Sequence, residues 1–255
     1  MRVNVVSDVH GNAEALARAG DGADVLVCLG DLVLFLDYED SSGGIFANVF
    51  GAENAERLVA LRTAKDFDGA RAFSQGLWGS LDADPREVIE QAVREQYAEL
   101  FGVMPQPAYL TYGNVDVPWL WPDYVQAGHT VLDGEVVEIG GRTWGFVGGG
   151  LRTPMRTPHE IDDDVYAEKV AALGSVDVLA CHIPPDVPAL LYDVEARRFE
   201  RGSAAVLDAI RDTSPGLVLF GHVHQPLRSR VRIGRTECVN VGHFRSTGVP
   251  WSVSY

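Results

Sequence analysis

Cysteine is scarce, with three residues in a chain of 255. That count is odd and small for a disulfide framework, so a reducing compartment is expected. Cys28 and Cys181 sit in apolar runs, where a thiol serves as a small buried hydrophobe. Basic charge is also short: 21 Lys and Arg stand against 36 Asp and Glu, a formal net charge of −15. A phosphate backbone repels such a surface, so long nucleic acid is not expected as a partner. There is no uninterrupted apolar run of the roughly 18 residues that a membrane helix needs, and no basic segment leading into an apolar one. A cytoplasmic protein without a membrane partner is expected. Internal repeats and low-complexity segments are absent too.

What is present can bury a sizeable core, since 46% of the residues are hydrophobic. The first apolar run, Met1 to Val6, reads as a strand and ends in Ser7-Asp8-Val9-His10-Gly11-Asn12. Asp8 and His10 are two residues apart, so on an extended backbone they project from the same side. Ala13 to Ala19 reads as a short helix that Asn12 can cap. Asp24 to Leu29 is a second buried strand, ending in Gly30-Asp31. Strand, helix and strand in this order form a βαβ unit, which places both strand-end loops on one edge of a parallel sheet.

From about residue 36 to 105 the pattern turns mostly helical, and this stretch reads as an insertion in one domain spanning 1–255. It serves either as a structural layer or as a cap over the site. Strand character returns at Pro107 to Tyr112, which ends in Gly113-Asn114-Val115-Asp116. Further strands follow at 129–132, 134–139 and 142–147, with Asp133-Gly134 as a tight hairpin turn. A helix at 161–173 leads to the strand at 176–180, which ends in Cys181-His182. After a helix at 203–211, Leu217 to Phe220 ends in Gly221-His222-Val223-His224. The remaining segments, 227–233, 236–241 and 251–254, alternate like antiparallel strands. The simplest assembly is two packed sheets with helices outside.

Five of these strand ends carry residues that bind metals: Asp8 with His10, Asp31, Asn114, His182, and His222 with His224. A single Asp there is usually a turn or cap residue, and a single His usually a hydrogen-bonded core residue. Together, at one edge of an α/β sheet, they point to a metal centre. Mixed nitrogen and oxygen donors without thiolate suit Mn, Fe, Zn or Ni over Mg or Ca. So many ligands suit two divalent transition-metal ions, which a shared carboxylate would hold about 3.5–4 Å apart.

The ordered set Asp8-Val9-His10, Gly30-Asp31, Gly113-Asn114-Val115-Asp116, His182 and Gly221-His222-Val223-His224 resembles the calcineurin-like metallophosphoesterase superfamily. The resemblance implies a four-layer α/β/β/α sandwich of two mixed sheets. It also implies Asp8, His10 and His224 on one metal, Asn114, His182 and His222 on the other, and Asp31 bridging both. The implied reaction is hydrolysis of a phosphoester by a hydroxide that bridges the two metals. One position departs from the pattern. Many members that cleave monoesters carry His after the Asn, where it assists the leaving group, and this chain has Val115. In that respect it is similar to the small bacterial phosphodiesterase branch, and a small phosphodiester is the expected substrate.

Asp116 is expected to orient the centre from behind it, or to form a turn. Arg152 is a candidate phosphate clamp, because guanidinium matches phosphate geometry, with surface charge as its plainer reading; Arg156 fits the surface reading better. Asn12 either touches substrate or caps the first helix, and His243 either approaches the site as an acid or is idle. Three rival functions stay open: a phosphomonoesterase acting on nucleotides or proteins, a non-catalytic metal-binding scaffold, and a nuclease for short oligonucleotides. Homo-oligomerisation is left open as well.

Overall fold

A computed structural model describes residues 1–255 and divides the chain into two compact units, 1–32 with 100–255, and 33–99. The first unit opens with β1 (Arg2–Val6), α1 (Ala13–Leu16) and β2 (Val25–Cys28). The helices α2 (Gly44–Phe50), α3 (Ala52–Thr63), α4 (Phe67–Gly79) and α5 (Pro85–Val103) come next. After them run β3 (Ala108–Leu110), β4 (His129–Val131), β5 (Glu135–Ile139), β6 (Arg142–Val147), β7 (Gly150–Leu151) and β8 (Glu160–Ile161). The chain continues through α6 (Asp163–Ala172), β9 (Val178–Cys181), α7 (Pro188–Leu191), β10 (Tyr192–Asp193) and β11 (Arg198–Phe199). It closes with α8 (Ala204–Thr213), β12 (Leu217–Phe220), β13 (Arg230–Ile233), β14 (Thr236–Asn240), α9 (Phe244–Thr247) and β15 (Trp251–Ser254).

Two large mixed sheets result, ordered β15-β1-β2-β3-β4 and β13-β14-β12-β9-β6-β5. In the first, β1 to β4 are parallel and β15 is antiparallel to β1. In the second, β14, β12, β9 and β6 are parallel, with β13 and β5 antiparallel at the edges. β2, β9 and β12 read as unbroken apolar runs because both faces of their sheets are covered. Val3, Val5, Val25 and Val27 turn toward the second sheet, where they share a core with Trp144, Phe146, Val178, Ala180, Leu219 and Val239. The alternate residues of the second sheet, Leu179, Cys181, Val218, Phe220 and Cys238, join a core with Val170 of α6, Leu173 at its end, and Val206 and Ile210 of α8. On the outer side of β1, Asn4 donates through Nδ2 to the Ala19 carbonyl at 2.9 Å, fastening the segment after α1. The sheets and their flanking helices form the sandwich that the motifs implied.

The second unit has its own small core of Leu36, Phe46, Ala47, Ala55, Leu58 and Ala70. Asp66 ends the apolar periodicity of α3 and starts α4, accepting a hydrogen bond from the Gly69 amide at 2.9 Å.

The final segments follow the expected antiparallel series in part: β13 pairs antiparallel with β14, and β15 is antiparallel too, but to β1. β14 runs parallel to β12, and β15 leaves that sheet to pair with β1, Val3 opposite Val253. Between them the short helix α9 turns the chain back across the strand ends. Sequence alternation reports which face of a strand is buried, not which sheet it joins.

Candidate metal centre

The parallel register of β1, β2 and β3 aligns Val6, Cys28 and Leu110 in one row. Asp8, Asp31 and Asn114 therefore leave the sheet at the same edge. Beyond the strands the loops stay zipped together: Asp8 N–H donates to Gly30 O at 3.0 Å, His10 N–H to Asp31 O at 2.9 Å and Gly11 N–H to Leu32 O at 2.8 Å. Asp8 and His10 do not meet through strand alternation, as the two-residue spacing suggested. β1 ends at Val6, and both residues take left-handed backbone conformations, with φ of 58° and 40°. Asp31 (φ 55°) and His222 (φ 68°) do the same. Such strain at non-glycine residues costs of order 1–3 kcal/mol each and persists where the surrounding structure imposes it.

The approach of the loops also dictates a glycine. A Cβ at Gly221 would collide with Ser7 Oγ and with the carboxylate of Asp8. Its absence lets the His222 N–H reach Asp8 Oδ2 at 2.9 Å, which joins the second sheet's strand end to the first sheet's.

Two groups of donors face each other across Asp31. In one, Asn114 Oδ1 lies 3.1 Å from His182 Nε2 and 2.8 Å from His222 Nδ1. The Nδ1 of His182 lies 2.9 Å from the Leu29 carbonyl, which can only accept, so Nδ1 carries a proton and, whenever the ring is neutral, Nε2 turns a lone pair inward. Asn114 directs its amide nitrogen away, to Thr157 Oγ1 at 3.0 Å, and its oxygen inward. In the other group, His10 Nε2 and His224 Nε2 are 3.3 Å apart. Asp8 Oδ1 lies 3.5 Å from His224 Nε2 and 3.9 Å from His10 Nε2. Asp31 Oδ2 reaches both groups, at 3.4 Å from His182 Nε2 and 3.9 Å from His10 Nε2. Ligand atoms of Asp31, His182 and His222, and of Asp8, His10 and Asp31, lie within 4.8 Å of one another. Converging lone pairs on buried side chains repel unless a cation stands among them. By this test the donors fit divalent ions, and their nitrogen and oxygen character suits transition metals.

The electrostatics agree. Burial pushes the Asp8 carboxyl up, but His224, His182 and His10 outweigh it and hold Asp8 far below the usual carboxylate range. Asp31 responds likewise: burial raises it, His182 and His10 lower it, and the result is about 2. Burial opposes a charge on His182, yet Asp31, Asp8 and Asp116 raise its pKa to about 9. His222 is lowered, by burial and then by His182.

The other expected residues divide. Asp116 meets the Asp31 turn through backbone groups. It accepts from the backbone N–H of Asp31 and Gly113, both at 2.8 Å, and of Leu32 at 3.0 Å, so it pins the Asp31 turn against the Asn114 loop. Burial and the Asp31 charge raise its carboxyl to about 6, against those backbone donors. Asn12 acts as the helix cap, accepting from Ala15 N–H at 3.0 Å, and its amide donates to Arg245 O at 2.8 Å. Both ends of its side chain are thus engaged by the protein itself. The guanidinium of Arg152 is exposed and forks onto Asp162, with Nη2 to Oδ2 at 3.2 Å, so it belongs to a surface ion pair. Arg156 is exposed as well. His243 does join the centre: its ring stacks on His224 with centroids 3.9 Å apart and planes 7° apart, and it lies 5.7 Å from His10. Its Nε2 is buried without a hydrogen-bond partner, and burial followed by His224 lowers its pKa to about 3.

Sequence reasoning missed Arg245 and Thr157. Arg245 donates through Nη1 to the His10 carbonyl at 2.6 Å, and its backbone N–H to Asp8 O at 3.0 Å, so α9 braces the first loop. No local pattern marks a partner 235 residues away.

Comparison with known proteins places this geometry. The family model described as calcineurin-like phosphoesterase matches residues 1–226. No curated protein matches significantly. One solved crystal structure superposes with a TM-score of 0.55 at 16% identity, covering 95% of this chain and 91% of that one, which is a likeness of fold alone. GAP50, described as the anchor in the inner membrane complex of Plasmodium, superposes at a TM-score of 0.39 and 11% identity over 95% of this chain and 71% of its own, too distant to carry an argument. Because the matched span takes in every strand end that carries a donor, from Asp8 to His224, the chain belongs to the calcineurin-like phosphoesterase family.

Proposed function

We propose that this phosphoesterase hydrolyses a small phosphodiester with two divalent transition-metal ions. Asp8, His10 and His224 would hold one ion, Asn114, His182 and His222 the other, with Asp31 within reach of both. The observation that carries the reading is Asp31 Oδ2, which lies 3.4 Å from a nitrogen of one group and 3.9 Å from a nitrogen of the other. When bound, the ions supply an activated water and electrophilic stabilisation of the phosphoryl oxygens. The chain supplies placement. Leu29 fixes the tautomer of His182, Asp116 fixes the turn that presents Asp31, and α9 fixes the His10 backbone.

The diester preference rests on Val115, half-buried in the loop beside Asn114, whose side chain has no proton to donate to a leaving oxygen. A missing donor costs about 10²–10⁴-fold on poor leaving groups. A small substrate and a reducing, cytoplasmic setting suit the acidic charge and the three free, buried cysteines. No helix is long and apolar enough to cross a membrane.

A phosphomonoesterase is the second reading, favoured by His243, whose unpaired ring nitrogen sits beside the centre. Its lowered pKa, about 3, leaves the ring neutral at pH 7 and a poor proton donor. Metal-stripped protein supplied in turn with Mn, Ni, Co, Zn, Fe or Mg separates the readings on bis-p-nitrophenyl phosphate and p-nitrophenyl phosphate. Diester hydrolysis abolished by Asp31→Asn is expected. Preference for the monoester, lost in His243→Ala, would replace this reading with the second.

A further inference from the structure

The centre works only if Asn114 turns its oxygen inward, and the amide itself does not decide that. Its two ends are nearly equal in size and opposite in polarity. With the amide nitrogen inward, the side chain could still satisfy His222 Nδ1, but it would offer hydrogens where a cation needs a lone pair. Something outside the donor groups must break the tie.

The loop between β7 and β8 does so. Asn114 Nδ2 lies 3.0 Å from Thr157 Oγ1. A threonine hydroxyl can donate or accept, so alone it would tolerate either amide orientation. Its one hydrogen is committed elsewhere, to Glu160 Oε1 at 3.0 Å. Both Glu160 oxygens act as acceptors, held in place by Thr153, whose hydroxyl donates to Oε1 at 2.6 Å and whose backbone N–H donates to Oε2 at 2.7 Å. Polarity therefore runs one way along the chain. The carboxylate accepts from Thr157, Thr157 is left to accept from Asn114, and Asn114 presents Oδ1 to His182 and His222 at 3.1 and 2.8 Å. The same loop holds the Asn114 backbone, since the His159 N–H donates to Asn114 O at 2.9 Å.

We infer that Thr157, polarised by Glu160, is the positioning residue that selects the metal-binding orientation of Asn114. The inference rests on the proposed dimetal reading. It assigns Thr157 no contact with substrate or ion.

The test is Mn(II) binding to the full-length, metal-stripped protein, with stoichiometry from elemental analysis and affinity from competition with a chelating dye. Wild-type, Thr157→Val, Thr157→Ser and Glu160→Gln proteins are compared. Partners of this kind are worth about 10–100-fold in metal affinity. Thr157→Val, which keeps the shape and loses the acceptor, is expected to weaken one of two Mn(II) equivalents by that factor. Thr157→Ser should restore it. Glu160→Gln should fall between, because a glutamine amide can donate to Thr157 and let it turn around. Metal-free Thr157→Val, which loses two hydrogen bonds, should melt somewhat below wild type but still unfold in one cooperative step. Two equally tight equivalents in Thr157→Val would overturn the inference and leave the dimetal reading standing. Failure of Thr157→Ser to rescue, or loss of cooperative unfolding in metal-free Thr157→Val, would also overturn it by showing a structural role. A wild-type protein that takes up no Mn(II) would sink both.

Discussion

Stripping the ions should give a protein whose stability falls as pH rises from 6.5 to 8.5, and Asp31→Asn should flatten that fall. Asp31 and His182 lie 3.4 Å apart, buried, and attract each other in the absence of metal. His182 is raised from 6.5 to about 9 in the folded protein, with burial opposing and Asp31 the leading favourable partner. A histidine with a raised folded value contributes stability that is complete below its unfolded pKa and lost as pH climbs through the folded one. At ~1.4 kcal/mol per pH unit, the interval from 6.5 to about 9 corresponds to about 3 kcal/mol. Asp31, held at about 2 against 3.8, reports the same attraction from the acid side as about 2 kcal/mol. The two figures are alternatives, so the expected loss is about 2–3 kcal/mol, or roughly 4–12 °C in melting temperature. His224, raised by Asp8 against burial, acts in the same direction. His222, His243 and His159 are lowered, so their contributions rise up to the unfolded pKa and are constant above it. Asp116, raised to about 6, completes its titration in the first part of the window and, because its folded value lies above the unfolded one, adds to the fall there. Buried Cys28, pushed up to about 12, begins to matter only as an unfolded thiol ionises near 9, which sets the upper limit. Metal binding needs neutral histidines and gains affinity over the same range. The melting gap between metal-loaded and chelated protein should therefore widen from pH 6.5 to 8.5. Calorimetry in the presence and absence of chelator measures it. A chelated protein whose stability is flat or rising across the window, or an Asp31→Asn variant that keeps the wild-type slope, would refute the argument.

Gly221→Ala forces a Cβ into Ser7 and Asp8, an overpacking expected to cost about 1–3 kcal/mol in denaturant unfolding and to weaken metal uptake. An unchanged unfolding midpoint would mean that the two strand ends can part without penalty. Arg152→Ala removes only an exposed pair with Asp162, so kcat, KM and melting temperature should match wild type. A tenfold rise in KM for the diester would return Arg152 to the phosphate.

The chain's own sequence determined the sandwich and the donors. Unbroken apolar runs at 25–29, 178–181 and 217–220, with 3–6 interrupted only by Asn4, announce strands covered on both faces, and each leads into an Asp or His. Parallel pairing then leaves little freedom in where those ends lie, which is why Asp8, Asp31, Asn114, His182, His222 and His224 could be read together. Only the tertiary structure decided which neighbours these residues have. Arg152 carries the right group for a phosphate clamp, but Asp162, ten residues on, takes it. Asn12 could serve as cap or substrate contact until α9 supplied the Arg245 carbonyl. Thr157 carries no signal in the sequence, because its role depends on a loop folding back 43 residues to Asn114. β15 likewise returns to pair with β1 across nearly the whole chain. Local sequence sets propensity and which face is buried, whereas the direction of a hydrogen bond between distant loops exists only once packing has brought its donor and acceptor together.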